Sequence, residues 1–217
     1  MKYEAVIFDL DGTLINSLDD LADSMNIVLE KQGLETHSSE SYKYFIGDGV
    51  EELIKRALPL KFQSEKKFIN SCKEDFKQEY NIRCTLKTHP YDGILELLNS
   101  LSEKNIKLSV LSNKPHDFTL ITVAKFFPEI KFSCIYGANK EKPLKPNPQM
   151  CLEISKELNL PCNKFLYLGD TSIDMLCANN AGMASVGVTW GFRTKDELLS
   201  SGAKYIINHP AELLDLF

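Results

Sequence analysis

Two aspartates, Asp9 and Asp11, follow directly on an apolar run in the stretch "YEAVIFDLDGTLINS". A spacing of two puts both side chains on the same side of an extended segment, where like charges repel and burying either carboxylate is costly. A metal ion would remove that penalty. Three later clusters carry matching chemistry: Ser112, Asn113 and Lys114 in "LSNK", Lys145 in "KPLKPNP", and Asp170 with Asp174 in "GDTSID". Together they suit phosphoryl transfer through a covalent aspartate. Asp9 would attack phosphorus, splitting hydrolysis into two easier steps. Asp11 would protonate the leaving oxygen and later activate water. Asp9, the Asp11 backbone carbonyl and Asp170 would hold Mg²⁺, Lys145 would neutralise further charge, and Ser112 would hydrogen-bond a phosphate oxygen. Gly12 permits a tight turn, and Gly12, Thr13 and Asn113 are the further substrate contacts expected around it.

Each piece alone has a plainer reading. A D-x-D pair also makes a turn, Ser112 and Asn113 could cap a helix starting near Pro115, and acids at 170 and 174 favour a helix N-terminus. Lys145 could be a solvated lysine, although Pro146 biases it to an extended conformation. The conjunction, in order along the chain, is what carries information.

The elements that must position these groups can be read from periodicity. Residues 3–8 predict a strand buried on both faces. Helices are expected over residues 17–33, 39–45, 49–58 and 64–80, which makes residues 15–88 an all-helical block. Short apolar strands then alternate with helices, at 106–111, 132–136, 165–168, 184–188 and 205–207, the pattern of a parallel α/β sheet. The first strand needs that sheet to bury its faces. The block is therefore an insertion, with residues 1–14 and 89–217 as the core and 15–88 as a cap lying over it. In open parallel sheets the site lies beyond the carboxyl ends of the strands, and the four clusters follow strand ends.

The cap offers less. Gly47 and Gly49 in "FIGDGV" read as a mobile loop that can approach the site, with Gly47 as a substrate contact. Lys43, Lys55 and Arg56 could meet a substrate carboxylate, Arg56 being the one carried into the site. However, Glu51 with Lys55 and Glu52 with Arg56 are also favourable i,i+4 surface pairs.

With 217 residues, 43% of them hydrophobic, the chain can bury a sizeable core. Its apolar runs fall far short of the ~20 residues that span a bilayer, and the start lacks a signal-peptide pattern, so a cytoplasmic protein without a membrane partner is expected. A net charge of −5 without a basic block argues against nucleic acid. Six scattered cysteines, with no C-x-x-C pair, read as reduced core residues, so any metal should be oxygen-bound.

On "DLDGT", "LSNK", "KP" at Lys145 and "GDTSID", in this order over essentially the whole length, the chain resembles phosphatases of the haloacid dehalogenase superfamily. The resemblance implies a Rossmann-like core with an inserted helical cap, Mg²⁺ as cofactor, and a metal set of Asp9, Asp11, Asp170 and Asp174, the last usually outside the directly bound ligands. Within the superfamily the chain is most similar to phosphoglycolate phosphatases, through "FIGDGVEELIKRAL", "AGMASVGVTWGF" and "GAKYIINHPAELL". That implies hydrolysis of a small phosphorylated metabolite, phosphoglycolate first, by a monomer or homodimer. Related pyrophosphatases and nucleotidases share much of these softer motifs. Dehalogenases of the superfamily lack the second aspartate, and its sugar-phosphate mutases tend to carry a hinge histidine near the position of Leu21. A non-catalytic phosphate-binding protein would be favoured by loss of Asp9 or Asp11, and both are present. Asn16 departs from the aspartate that many members carry in the hinge.

Overall fold

A computed structural model of the chain describes residues 2–217. Its centre is β1 (Ala5–Phe8), every residue of which is buried. β1 pairs in parallel with β4 (Lys107–Pro115) on one side and β6 (Phe165–Gly169) on the other. β5 (Cys134–Ala138) lies outside β4, while β7 (Ala184–Val188) and β8 (Tyr205–Ile207) extend the sheet beyond β6, giving the order β5-β4-β1-β6-β7-β8. The period of two divides β1 between two cores. Val6 and Phe8 pack with Leu97, Leu98 and Leu101 of α5 (Ile94–Glu103), whereas Ala5 and Ile7 pack with Cys151 and Ile154 of α7 (Gln149–Glu157) and Cys177 and Ala178 of α8 (Ser172–Asn180). Helices α6 (His116–Phe126) and α9 (Lys195–Ser200) complete the layers. This is the expected α/β, Rossmann-like sheet.

Four helices follow β1: α1 (Leu18–Lys31), α2 (Ser39–Phe45), α3 (Val50–Ala57) and α4 (Lys66–Arg83). They enclose an apolar cluster of their own around Met25, Leu29, Tyr42, Ile54, Cys72 and Phe76, to which Phe118 and Phe192 contribute from the sheet side. The expectation of a wholly helical segment from residue 15 is corrected at its ends. Ile15–Asn16 forms a short strand, β2, antiparallel to β3 (His89–Pro90), too brief to show any periodicity. Buried Asp20 fixes the way out of the helical block, accepting hydrogen bonds from the Lys87 and Thr88 amides and from the Thr88 hydroxyl. No helix among the described residues is long and apolar enough to cross a membrane. The cysteines form no disulfide.

β4 also differs from its expected extent. It runs on past Leu111 to Pro115, with an irregular register against β5 between those residues. Ser112, Asn113 and Lys114 therefore lie on extended, buried backbone and not in a helix cap.

Candidate active site

The carboxyl ends of β1, β4 and β6 bring the expected groups to one place. Asp9 is one residue beyond β1, its amide donating to the Leu168 carbonyl of β6 at 2.9 Å. Lys145 Nζ reaches Asp9 Oδ1 at 2.6 Å and Asp174 Oδ1 at 2.7 Å. All three side chains are buried. Asp170 accepts from the Thr13 hydroxyl at 3.0 Å and from the Phe192 amide at 2.8 Å. Asp174 spends its second oxygen on the Thr171 amide and hydroxyl, closing a capping box at the start of α8. Gly12 has φ +88°, and a Cβ there would sit 2.3 Å from Asp170 Oδ2, so glycine is needed both for the turn and for the close approach.

The electrostatics follow from this geometry. Asp9, Asp170 and Asp174 each present an oxygen within 4.8 Å of the others, and one ammonium, that of Lys145, stands against three carboxylates. Burial pushes the Asp9 carboxyl well above its usual range; Lys145 opposes this, and the charges of Asp174 and Asp170 add to it. Burial and then Asp174 raise Asp170 to about 7, against the hydrogen bonds from Phe192 and Thr13. For Lys145, burial works against the charge, but Asp174 and Asp9 outweigh it and the ammonium is held beyond its usual range. A buried, all-oxygen donor set with an excess of about two negative charges fits a hard divalent cation. Asp9 and Asp170 are the side chains available to it. Asp174 is committed to Lys145 and Thr171, and so braces the set.

Asp11 faces elsewhere. Its carboxylate receives the Ser17 hydroxyl at 2.6 Å and Lys114 Nζ at 2.9 and 3.2 Å, so any approach to the metal would be through its backbone carbonyl. Ser17, at the expected start of the first helix, precedes α1 without a side-chain cap, and Asn16 Oδ1 accepts the Leu18 amide. Ser112 lines the cavity, with Oγ accepting the Lys114 amide. Asn113 is spent on scaffolding: it exchanges hydrogen bonds with the Lys145 backbone and donates to the Gly47 carbonyl at 3.0 Å. Thr13 holds Asp170 and does not line the cavity. Arg56 is not brought to it either; it pairs with Asp48 at 2.6 Å and donates to the Tyr44 and Phe45 carbonyls.

The cavity between these groups and the helical block measures about 40 Å³. Leu21, Ile46, Val50, Leu53 and Phe76 form its far wall, with Gly47 and Gly49 between them and Phe192 contributed from the sheet side. Two residues that sequence reasoning left without a role stand out. Lys114, buried, joins Asp11 to the Tyr80 hydroxyl of α4 at 2.5 Å. Arg193 donates to the Lys43 and Ile46 carbonyls, tying the α2 end to the sheet. Lys114 could have been suspected as a lysine prolonging a buried apolar run; Arg193 carries no comparable signal.

Comparison with known proteins agrees with this fold. Residues 6–188 match the haloacid dehalogenase-like hydrolase family. The phosphoglycolate phosphatase of Mannheimia succiniciproducens is 31% identical over 99% of this chain and 98% of its own, and that of Haemophilus influenzae (strain 86-028NP) 30% over the same shares. The crystal structure of a candidate phosphoglycolate phosphatase from Lactobacillus delbrueckii subsp. bulgaricus superposes with a TM-score of 0.92 at 32% identity, covering 100% of this chain and 98% of that one. The chain belongs to the haloacid dehalogenase-like hydrolases.

Proposed function

We propose that, within this family, the protein is a Mg²⁺-dependent phosphatase that hydrolyses a small phosphate monoester through an aspartyl-phosphate on Asp9, with phosphoglycolate as its first candidate substrate. One observation supports this above the others: a buried nucleophile-grade carboxylate, Asp9, lies beside Lys145 and two further carboxylates, while Asp11 stands outside that cluster. The separation suits two different jobs. Asp9, oriented by Lys145, attacks phosphorus as the bond to the leaving oxygen breaks, and Asp11 gives that oxygen its proton. In the second half Asp11 takes a proton from water, the water oxygen bonds to phosphorus, and the acyl phosphate bond breaks to release phosphate and free Asp9. Ser112 donates to a non-bridging phosphate oxygen. Asp9, Asp170 and the Asp11 carbonyl would hold Mg²⁺, which when bound offsets the repulsion between carboxylate and phosphate dianion. The apolar wall excludes bulk water during the first half-reaction.

Phosphoglycolate enters through the relatives that carry its name. The test is a panel of phosphoglycolate, pyrophosphate, nucleoside monophosphates and hexose phosphates, each with Mg²⁺ and with excess chelator. Metal-dependent turnover with a preference for phosphoglycolate is expected. A hundredfold preference for pyrophosphate or a nucleotide in kcat/KM, about 2.7 kcal/mol, would overturn the substrate. Full turnover in chelator would overturn the metal.

A further inference from the structure

Resting on the phosphatase reading above, we infer that Lys114 and the Tyr80 hydroxyl together form the receptor for a carboxylate on the leaving group, and so select phosphate esters of short hydroxy acids. A carboxylate at this site must find a cation, because an unpaired buried charge costs several kcal/mol. The helical block does not supply one. Lys43 is paired with Glu40, Lys55 with Glu51 and Glu52, and Arg56 with Asp48, and none of the three lines the cavity. Two cations do line it. Lys145 lies between Asp9 and Asp174, at the end where phosphorus is attacked. Lys114 stands apart from that pair, bound to the Asp11 carboxylate and to the Tyr80 hydroxyl of α4. When Asp11 carries the proton it gives to the leaving oxygen, this ammonium is left without a counter-charge.

Tyr80 completes the pair. Its oxygen accepts from Lys114, so its own O–H remains to donate, and no acceptor for it exists among the described residues. Burial holds the phenol above its usual range, so the proton stays in place. The ring cannot swing away to find water: it stacks on Phe76 at 5.4 Å and meets Phe118 edge-on at 5.0 Å. A buried ammonium and a buried hydroxyl donor, side by side between Asp11 and the apolar wall, are the groups a carboxylate needs and a methyl or hydroxymethyl group does not. Because Lys114 touches Asp11, which protonates the leaving oxygen, the carboxylate it holds must lie close to that oxygen, and the acid must be short. Tyr80 belongs to the helical block and Lys114 to the sheet, so this receptor is whole only with the block in place over the site.

The test compares two esters of nearly equal size, phosphoglycolate and 2-hydroxyethyl phosphate, as a ratio of kcat/KM. Whatever Lys114 does for Asp11 acts on both esters and cancels in the ratio. The wild-type protein is expected to prefer phosphoglycolate. Lys114→Gln should reduce that preference by at least about 30-fold, with Lys114→Arg restoring part of it. Tyr80→Phe, which keeps the ring contacts, should reduce it by about fivefold, mainly through KM. If Lys114→Gln does not fold, Tyr80→Phe and Lys114→Arg carry the comparison. An unchanged ratio in these variants overturns the inference. So does a wild-type protein that hydrolyses both esters equally well with Mg²⁺, an outcome that leaves the phosphatase reading standing. A protein that hydrolyses neither ester, nor any other in the panel, overturns the phosphatase reading itself.

Discussion

The floor and the far wall of the cavity hold their polar groups in opposite ways. On the floor, Asp9, Asp170, Asp174 and Lys145 are buried and bound to one another, to Thr13, or to the backbone at Thr171 and Phe192. On the wall, Leu21, Ile46, Val50, Leu53 and Phe76 are apolar, the loop carries glycines, and Lys55 and Arg56 are paired away from the cavity. The floor concentrates charge whose burial is unfavourable until a cation and a phosphate arrive. On the proposed reading the wall serves to exclude water and to discriminate by shape, with Tyr80 as its polar exception. On that reading chemistry and selection are thus divided between the strand ends of the sheet and a helical block held to them by a few hydrogen bonds and by Phe118 and Phe192.

Substitutions on the floor should have the largest effects. Asp9→Asn removes the nucleophile and should lower kcat by at least about 10⁴-fold for every ester, in steady-state assays. Asp11→Asn should cost alkyl phosphates about 10²–10⁴-fold, and acetyl phosphate, whose leaving group needs no proton, far less. Equal losses would contradict the division between nucleophile and proton carrier.

Next comes the response of the metal-free protein to pH. Asp170 and Asp9 titrate higher in the folded state than unfolded, so between about pH 4 and pH 7 the native state binds more protons and stability falls as pH rises. Melting temperature measured in chelator should therefore drop from pH 5 to pH 8. Mg²⁺ should restore it at pH 8 and do little at pH 5, where protons compete for the same oxygens. A flat profile would mean that the floor carries no excess charge.

Attachment of the wall should matter less. Arg193→Met removes two charge-assisted hydrogen bonds to backbone carbonyls, and part of their worth is regained from water when the block opens. A fall in kcat/KM of about tenfold is expected, mostly through KM, with kcat for acetyl phosphate nearly kept. The smallest effect belongs to Arg56→Ala, which breaks a partly exposed pair with Asp48 and should change turnover by less than about twofold. A loss comparable to that of Asp11→Asn would restore Arg56 as a substrate contact.

The same division explains what could be read in the sequence. Asp9 and Asp170 were legible because charged residues next to buried strands contradict their surroundings and need a partner, and Lys145 because it stands in a loop stiffened by prolines, in order with the other clusters. β4 and the residues of "LSNK" were placed one step short, since a strand prolonged through a register irregularity leaves no periodic mark. The pairing of Lys114 with Tyr80 joins residues far apart in sequence, and no local pattern announces it. The hinge strands at 15–16 and 89–90 are too short to alternate. On the wall, apolar residues at helical spacing serve the helical block's own core and the cavity alike, so spacing alone cannot tell Met25 in the interior from Leu53 at the cavity.

Trapping the phosphorylated protein tests the division most directly. Wild type turning over a slow ester with Mg²⁺ would be quenched in acid, digested and read by mass spectrometry. A phosphoryl group on the peptide carrying Asp9 is expected, sensitive to hydroxylamine and absent from Asp9→Asn, with Asp11→Asn still able to form it from acetyl phosphate. Normal turnover with no phosphoryl group trapped, or with one trapped on another residue, would contradict Asp9 as the nucleophile.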